Sequence, residues 1–395
     1  MVILNAYLLT LIIIAQQSSD TTGEKEKENL MKKKIVSALL CVAMIATMAT
    51  GCGGSKSSST SGNADSTAKQ FEINAAIAAN PPALDPHTVN ANVTGGIGIH
   101  IYEALFQMDE NYEPQPVLAE SYEMSDDGKE YTIKLRQGVK FHNGDEMKAD
   151  DVVASMNRWM ELSPKAKTLI GGSVFEKVDD YTVKLTVNEP SSDIIMVLAS
   201  PIQFAAIYPK SVVDSASDEG VKEYIGTGPY KVAEWKQDQY VKLEKYEDYQ
   251  PAEGESSGLA GAKNAQADTI TFNIVTDTAT RIAGVQNGQY DIAEDIPADQ
   301  YKDLATDKNL TMDVRSGGTL NLFLNTTEGV MADEKVRQAA LAALNCDDIL
   351  MASYGDADLY KLNAGWCNPD DAQWGTEAGS EYYNQNDVEK AKKLL

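Results

Sequence analysis

The sequence predicts an α/β fold assembled from several strand–helix units. Three observations carry this reading. Short runs alternate apolar and polar residues with period 2, apolar residues at helical spacing lie between such runs, and Gly, Pro, Asn and Asp clusters punctuate both. Tyr131-Thr-Ile-Lys-Leu-Arg136 puts Tyr131, Ile133 and Leu135 on one strand face, and Tyr181-Thr-Val-Lys-Leu-Thr-Val187 repeats the pattern. Between them Val152, Met156, Trp159 and Met160 form the apolar stripe of an amphipathic helix. Tyr240-Val-Lys-Leu-Glu-Lys-Tyr246 is a third strand, and the Pro/Gly/Ser/Ala-rich stretch from Pro251 to Ala267 is a loop. Thr269 to Val275 follows as a strand. Asp277 then caps a helix carrying Ile282 and Val285, which stops near Gly288. Tyr290 to Ala293 returns as a short strand, and Pro297 suits the first turn of the next helix. Asp333 caps a further helix, with Val336, Ala340, Ala343 and Leu344 expected on its buried side. No internal repeat is visible.

The N-terminal part reads as targeting sequence rather than fold. Met31 to Cys52 runs from three lysines, Lys32 to Lys34, through an apolar stretch Ile35–Met48 to Ala49-Thr50-Gly51 and Cys52. That order describes a secretory signal, since about 14 apolar residues fall short of the ~20 needed to span a bilayer. A cysteine directly after small residues resembles a bacterial lipobox, so Cys52 is expected to be acylated and to become the new N-terminus. Residues 52–67, rich in Gly, Ser and Thr, then form a flexible tether. Residues 1–30 precede this signal and are expected to be translated upstream sequence, with Met31 the true start. Residues 1–51 are accordingly set aside from the fold.

The 344 residues from Cys52 onward are enough for two or more compact units. They carry 29 Lys and Arg against 55 Asp and Glu, a net charge of −26. Such a surface repels phosphate backbones, so no nucleic acid partner is expected. With Cys52 acylated, Cys346 and Cys367 remain; they either pair in an oxidising space or stay as two buried thiols, depending on whether their Cα atoms approach to ~6 Å.

Catalytic chemistry is not legible. His87, His100 and His142 show no spacing that places two imidazoles on one metal, and no G-x-S-x-G elbow is present. Gly226-Thr-Gly-Pro-Tyr230 lacks the Lys-Ser/Thr of a phosphate loop and reads as a tight turn entering a strand at Pro229. Asp126-Asp127, Asp150-Asp151 and Asp179-Asp180 are sequence neighbours whose side chains diverge, so they read as turn and cap residues. No catalytic residue, metal site or cofactor is expected. The chain reads as a binder, not an enzyme.

Specific motifs then point to a family. Leu118-Ala-Glu-Ser-Tyr-Glu-Met-Ser-Asp-Asp-Gly-Lys-Glu-Tyr-Thr-Ile-Lys-Leu-Arg-Gln-Gly-Val-Lys-Phe-His-Asn-Gly144 continues into Ala149-Asp-Asp-Val152. Leu84-Asp-Pro-His87 precedes it. Gly226-Thr-Gly-Pro-Tyr230 with Trp235, Gly288-Gln-Tyr-Asp291, Val336-Arg-Gln-Ala339 and Glu389-Lys-Ala-Lys-Lys-Leu-Leu395 follow in order. Together these resemble solute-binding protein family 5, the peptide-binding receptors of ABC importers.

The resemblance implies a two-lobed, type II-like periplasmic-binding-protein clamp with an extra inserted domain and an incomplete second lobe. Lobe one would hold residues 68–102 and 200–316, the inserted small domain 103–199, and the start of lobe two 317–395. It implies a monomer on the outer face of the cytoplasmic membrane, held there through its lipid, that captures peptides and passes them to the permease subunits of an importer. Asn90 and Asn92 would line the ligand cleft. Gly317, Gly318 and Thr319 would sit at the hinge, where main chain could pair with an extended peptide. Trp366 is a further candidate at the cleft, as is Trp374, although Ala364-Gly-Trp-Cys367 stands out of family order. Nickel chelates or oligosaccharides are alternative ligands on the same fold, and a secreted hydrolase is a remoter reading. In the family a long further portion follows the Lys-Ala-Lys-Lys-Leu-Leu helix. A chain ending at Leu395 is therefore expected to bind peptide weakly and to expose apolar surface.

Overall fold

A computed structural model describes residues 9–15, 70–217, 219–316, 320–365 and 375–395, the first of these segments by its backbone. The strands are β1 (Leu9–Ala15), β2 (Glu72–Ile77), β3 (Phe106–Met108), β4 (Pro114–Pro116), β5 (Ala119–Met124), β6 (Glu130–Leu135) and β7 (Val174–Asp179). They continue with β8 (Thr182–Thr186), β9 (Tyr230–Lys236), β10 (Tyr240–Lys245), β11 (Thr269–Ile274), β12 (Ile292–Ala293) and β13 (Leu310–Ser316). The α-helices are α1 (Asn92–Ile101), α2 (Ala149–Leu162), α3 (Pro164–Ile170), α4 (Ile194–Leu198) and α5 (Lys210–Asp214). After them come α6 (Thr278–Gln286), α7 (Tyr301–Ala305), α8 (Glu334–Ala343), α9 (Cys346–Tyr354) and α10 (Val388–Leu394).

The larger sheet has the order β13-β1-β12-β2-β11-β10-β9, with β2 parallel to both β11 and β12 and the remaining pairs antiparallel. Its central strand β2 is covered on both faces, as a parallel pair requires. Ile77 joins a cluster with Ile97 and Ile101 of α1 and with Val241, Leu243 and Ile270. Ala76, pointing the other way, joins Val285 of α6, Leu304 of α7 and Leu310. Successive side chains on a strand face opposite sides, so two neighbouring small residues serve two cores.

A second, four-stranded antiparallel sheet has the order β5-β6-β8-β7. The expected inward residues Tyr131, Ile133 and Leu135 are buried against Val152, Met156 and Trp159 of α2, whose apolar stripe falls where its spacing predicts. The acidic pairs are caps and turns, as read from sequence. Asp151 accepts from the Lys148 N–H at the start of α2, Asp179 accepts from the Tyr181 N–H, and Asp127 accepts from the Ser125 hydroxyl. Asp277 caps α6 by accepting from the Thr280 N–H at 2.8 Å, and Asp333 caps α8 through the Lys335 N–H at 2.7 Å. Pro297 sits one position earlier than expected, as the cap residue of a 3-10 turn over Ala298–Gln300 that leads into α7.

Three sequence readings change. Residues 1–51 were set aside from the fold, yet seven of them, Leu9–Ala15, form β1 inside the larger sheet. The run is rich in isoleucine, whose β-branched side chain favours strands, and its length is ordinary for one. In α8 the buried residues are Ala339 and Ala342, packed on Ala391 of α10, whereas Ala343 is exposed. Contact with Ala391 of α10 decides which of the alanines is covered. Gly226 and Gly228 are required by close approach, not by a turn. A Cβ on Gly226 would stand 2.1 Å from the Ile101 carbonyl oxygen, and one on Gly228 would stand 2.6 Å from that of His100.

Candidate functional site

The segment between β2 and α1, Asn80 to Ala91, contains the Leu84-Asp-Pro-His87 motif and is fixed from beneath by one carboxylate. Asp85 is 1% exposed. It accepts from the Arg158 guanidinium at 2.6 and 3.3 Å, from the Tyr208 hydroxyl at 2.8 Å, and from the backbone N–H groups of His87 and Val221, both at 3.0 Å. Burial pushes its carboxyl up, but the Arg158 hydrogen bond and charge, with Tyr208, outweigh burial and hold it below the usual carboxylate range. Arg158 comes from α2, so this ion pair also joins the loop to the helix under the four-stranded sheet. His87 is fully buried and donates from Nε2 to the Ala206 carbonyl at 2.9 Å. Burial lowers its pKa to about 3, so it is neutral and structural.

The loop ends on the first turn of α1. Its cap position is Ala91, which has no side chain to satisfy the first-turn N–H groups. Asn90 and Asn92 are exposed there and line a groove of about 250 Å³ together with Gly95, Gly96 and, across from them, Ile202 and Gln203. Gly96 has open space where a side chain would stand, so the helix backbone itself is accessible at the groove. Gln203 has φ of 50°, a left-handed conformation that non-glycine residues adopt under constraint. The constraint is visible: its carbonyl accepts from Trp159 Nε1 at 2.8 Å, its Nε2 donates to the His87 carbonyl at 3.2 Å, and its Oε1 accepts from Ser163 at 3.0 Å. Ile202, 59% exposed, is thereby held out over the groove.

A second buried group fixes the far end of α1. Glu103 accepts from Thr227 at 3.0 Å and Tyr249 at 2.9 Å, with the Lys263 ammonium 3.7 Å away. His142 completes the joint. Its Nδ1 accepts from the Gly226 N–H at 3.2 Å and its Nε2 donates to the Gly228 carbonyl at 2.9 Å, so the imidazole is neutral; burial, the leading cause, lowers its pKa to about 4. The groove therefore stands on rigid backbone at both ends of α1. Among the described residues, no group of three or more His, Cys, Asp and Glu side chains is placed to hold a metal. None of their helices is long and apolar enough to cross a membrane.

Of the site residues named from sequence, the structure brings Asn90 and Asn92 into one groove. Cys52, Gly317, Gly318, Thr319, Trp366, Cys367 and Trp374 lie outside the described residues. Cys346 is a buried free thiol in the first turn of α9. Sequence reasoning did not find Ile202 and Gln203. Their position opposite Asn90 follows from tertiary contacts more than 100 residues apart in sequence, and no local motif marks it.

The description "bacterial extracellular solute-binding proteins, family 5 middle" matches residues 113–395. The chain belongs to this family. It is 33% identical over 288 residues to the glutathione-binding protein GsiB of Salmonella paratyphi A, covering 72% of this chain and 54% of that protein. It therefore spans about half the length of that relative. Among solved structures it is similar to the ABC transporter substrate-binding protein CtaP of Listeria monocytogenes, at 26% identity and a TM-score of 0.66 over 82% of this chain and 65% of that one. It is also similar to the periplasmic binding protein DppA of Helicobacter pylori in complex with the peptide STSA, at 25% identity and a TM-score of 0.63 over 83% and 66%. The fold class is thus the two-lobed clamp of the periplasmic binding proteins, as the sequence motifs implied.

Proposed function

We propose that this chain is the ligand-capturing part of a lipid-anchored receptor that takes up short peptides outside the cytoplasm and delivers them to an ABC import permease. The observation that carries the reading is the groove at Asn90 and Asn92. It is preformed, braced by the buried Asp85 cluster, and lined mostly by apolar residues such as Val89, Ile99 and Leu259, with the Asn90 and Asn92 amides beside them to donate to and accept from a peptide backbone. Family membership supports the reading, and so does the peptide bound to a structural relative. Glutathione, named for the relatives at 33% identity, falls in the same chemical class of short peptide. On this proposal lobe one comprises residues 68–102 and 200–316, the inserted domain 103–199, and lobe two begins at Gly317. The four-stranded sheet falls wholly within 103–199, which supports that division. Cys52 is the lipidation site, Gly317 to Thr319 lie at the hinge, Trp366 borders the cleft, and Cys346 pairs with Cys367 if oxidised. Mass spectrometry of small molecules released from the purified protein tests the ligand class. Short peptides among them support the proposal; a bound chelate or sugar instead of peptide contradicts it.

A further inference from the structure

The loop from Pro251 to Lys263 contributes Leu259 to the groove and holds that residue by its backbone. Ser257 and Ala260 exchange hydrogen bonds at 3.1 and 2.8 Å, which makes Gly258 and Leu259 the tip of a two-residue turn. The Leu259 N–H donates to the Met108 carbonyl, at the end of β3, at 2.9 Å. Its neighbour Ala260 is buried with Val117 and Ala252. Both ends of the loop are tied as well. Arg136 donates to the Gln250 and Pro251 carbonyls at 3.0 and 2.8 Å, and the Lys263 ammonium donates to Gln107 at 2.8 Å. The Leu259 side chain, by contrast, joins none of the hydrophobic cores formed by the described residues, and neither does that of Val89 or Ile202. All three line the groove, each from a separate segment of the chain. Apolar side chains that are spared from core packing and converge on one space mark a surface for an apolar group to cover.

Charge and size narrow what that group can be. No charged side chain lines the groove, so an ionised group placed there would lose its water without gaining a partner. The volume of about 250 Å³ lies below the roughly 300–1,000 Å³ of sites that enclose a whole small ligand. It gives room for one side chain and the main chain beside it. We propose that the groove is a subsite for one uncharged, apolar side chain of a bound peptide, and that Leu259 sets this preference. The inference rests on the peptide reading of the groove. The Asn90 and Asn92 amides pair with the main chain whatever its sequence, while Leu259, with Val89 and Ile202, selects the side chain.

The test titrates the full chain with trivaline and with trithreonine. A homotripeptide presents the same side chain whichever residue enters, and valine and threonine share a shape but differ by a methyl group in place of a hydroxyl. The half-saturating concentration of each is read from slowed hydrogen exchange in the segment covering residues 86–96. Trivaline should half-saturate at a concentration lower by about fivefold or more, because a hydroxyl buried without a partner is disfavoured by at least that ratio. Leu259→Asn keeps the size of the side chain and adds a polar end. It should shrink the ratio by about threefold or more with the melting temperature unchanged. Ile202→Asn, at an exposed position on another segment, should shrink it too and serves if Leu259→Asn fails to fold. Equal half-saturation by the two peptides, or tighter trithreonine, overturns the subsite, as does a ratio that survives in both variants. A ratio that survives in Leu259→Asn alone overturns the role of Leu259. So does an equal weakening of both peptides, which is what a merely structural residue would give. Absence of protection at residues 86–96 with either peptide removes the peptide reading itself, and this inference with it. Protection without discrimination removes the inference alone.

Discussion

Asp85→Asn tests how the candidate loop is held. In the native protein one carboxylate receives donors from Arg158, Tyr208, His87 and Val221. An asparagine offers one acceptor oxygen and one N–H₂ group, so in either orientation an amide donor faces donors. The charge is lost as well. The Arg158 side chain, only 10% exposed, then keeps its guanidinium without a counter-ion. Breaking one side of a buried ion pair costs about 3–5 kcal/mol, far more than the ~0–1 kcal/mol of a surface pair. For a protein of this size that corresponds to a fall in Tm of about 4–7 °C. Thermal unfolding followed by circular dichroism at pH 7 reads it directly. Adding Arg158→Met should return part of the loss, since the stranded charge is then removed too, and the double-mutant cycle should show coupling above about 1 kcal/mol. A fall below about 2 °C for Asp85→Asn, or additive losses in the cycle, would refute the claim that this pair clamps the loop.

Three further outcomes are expected. His87, with its pKa lowered to about 3, and His100 and His142, each lowered to about 4, are neutral when folded and take up protons on unfolding near pH 6.5. Their stabilisation is therefore complete above pH 6.5 and is lost as pH falls toward 4, at about 1.4 kcal/mol per pH unit for fully buried His87 and up to as much again for each of the others. Urea midpoints that stay flat between pH 7 and pH 5 would contradict this. Gly226→Ala should destabilise by about 1–3 kcal/mol, because its Cβ would meet the Ile101 carbonyl oxygen at 2.1 Å; chemical denaturation checks it, and a neutral result would mean that the joint gives way easily. Gly96→Leu should leave Tm unchanged or raise it slightly. Its Cβ meets nothing within 4 Å, and glycine is the poorer helix former by up to about 1 kcal/mol.

Elements with strong local signals were legible in the sequence. The alternation in β6 and β8, the stripe on α2 and the caps Asp277 and Asp333 depend on near neighbours, and each lies where its pattern places it. Long-range features were not. Asp85 meets Arg158 across 73 residues and Tyr208 across 123, and neither spacing leaves a trace in composition or period. The left-handed Gln203 has the same origin, since its conformation is imposed by Trp159 and His87 rather than by its own preference. Gly226 and Gly228 were visible as glycines, but glycine serves both turns and close contacts, and only the packing against the end of α1 shows which. The buried side of α8 depended on α10, 45 or more residues downstream. Asn90 and Asn92 were reached through the family motif beside them. The groove they line needed Ile202 and Gln203 from elsewhere in the chain.

Short peptides are proposed to bind at this groove. Hydrogen exchange of the chain in a saturating mixture of short peptides, including glutathione, tests it most directly, since saturation reveals a footprint even when affinity is weak. We expect slowed exchange confined to residues 86–96 and 202–203, abolished by Gly96→Leu while the melting temperature is kept. A footprint elsewhere on the molecule, or one that survives Gly96→Leu unchanged, would contradict it.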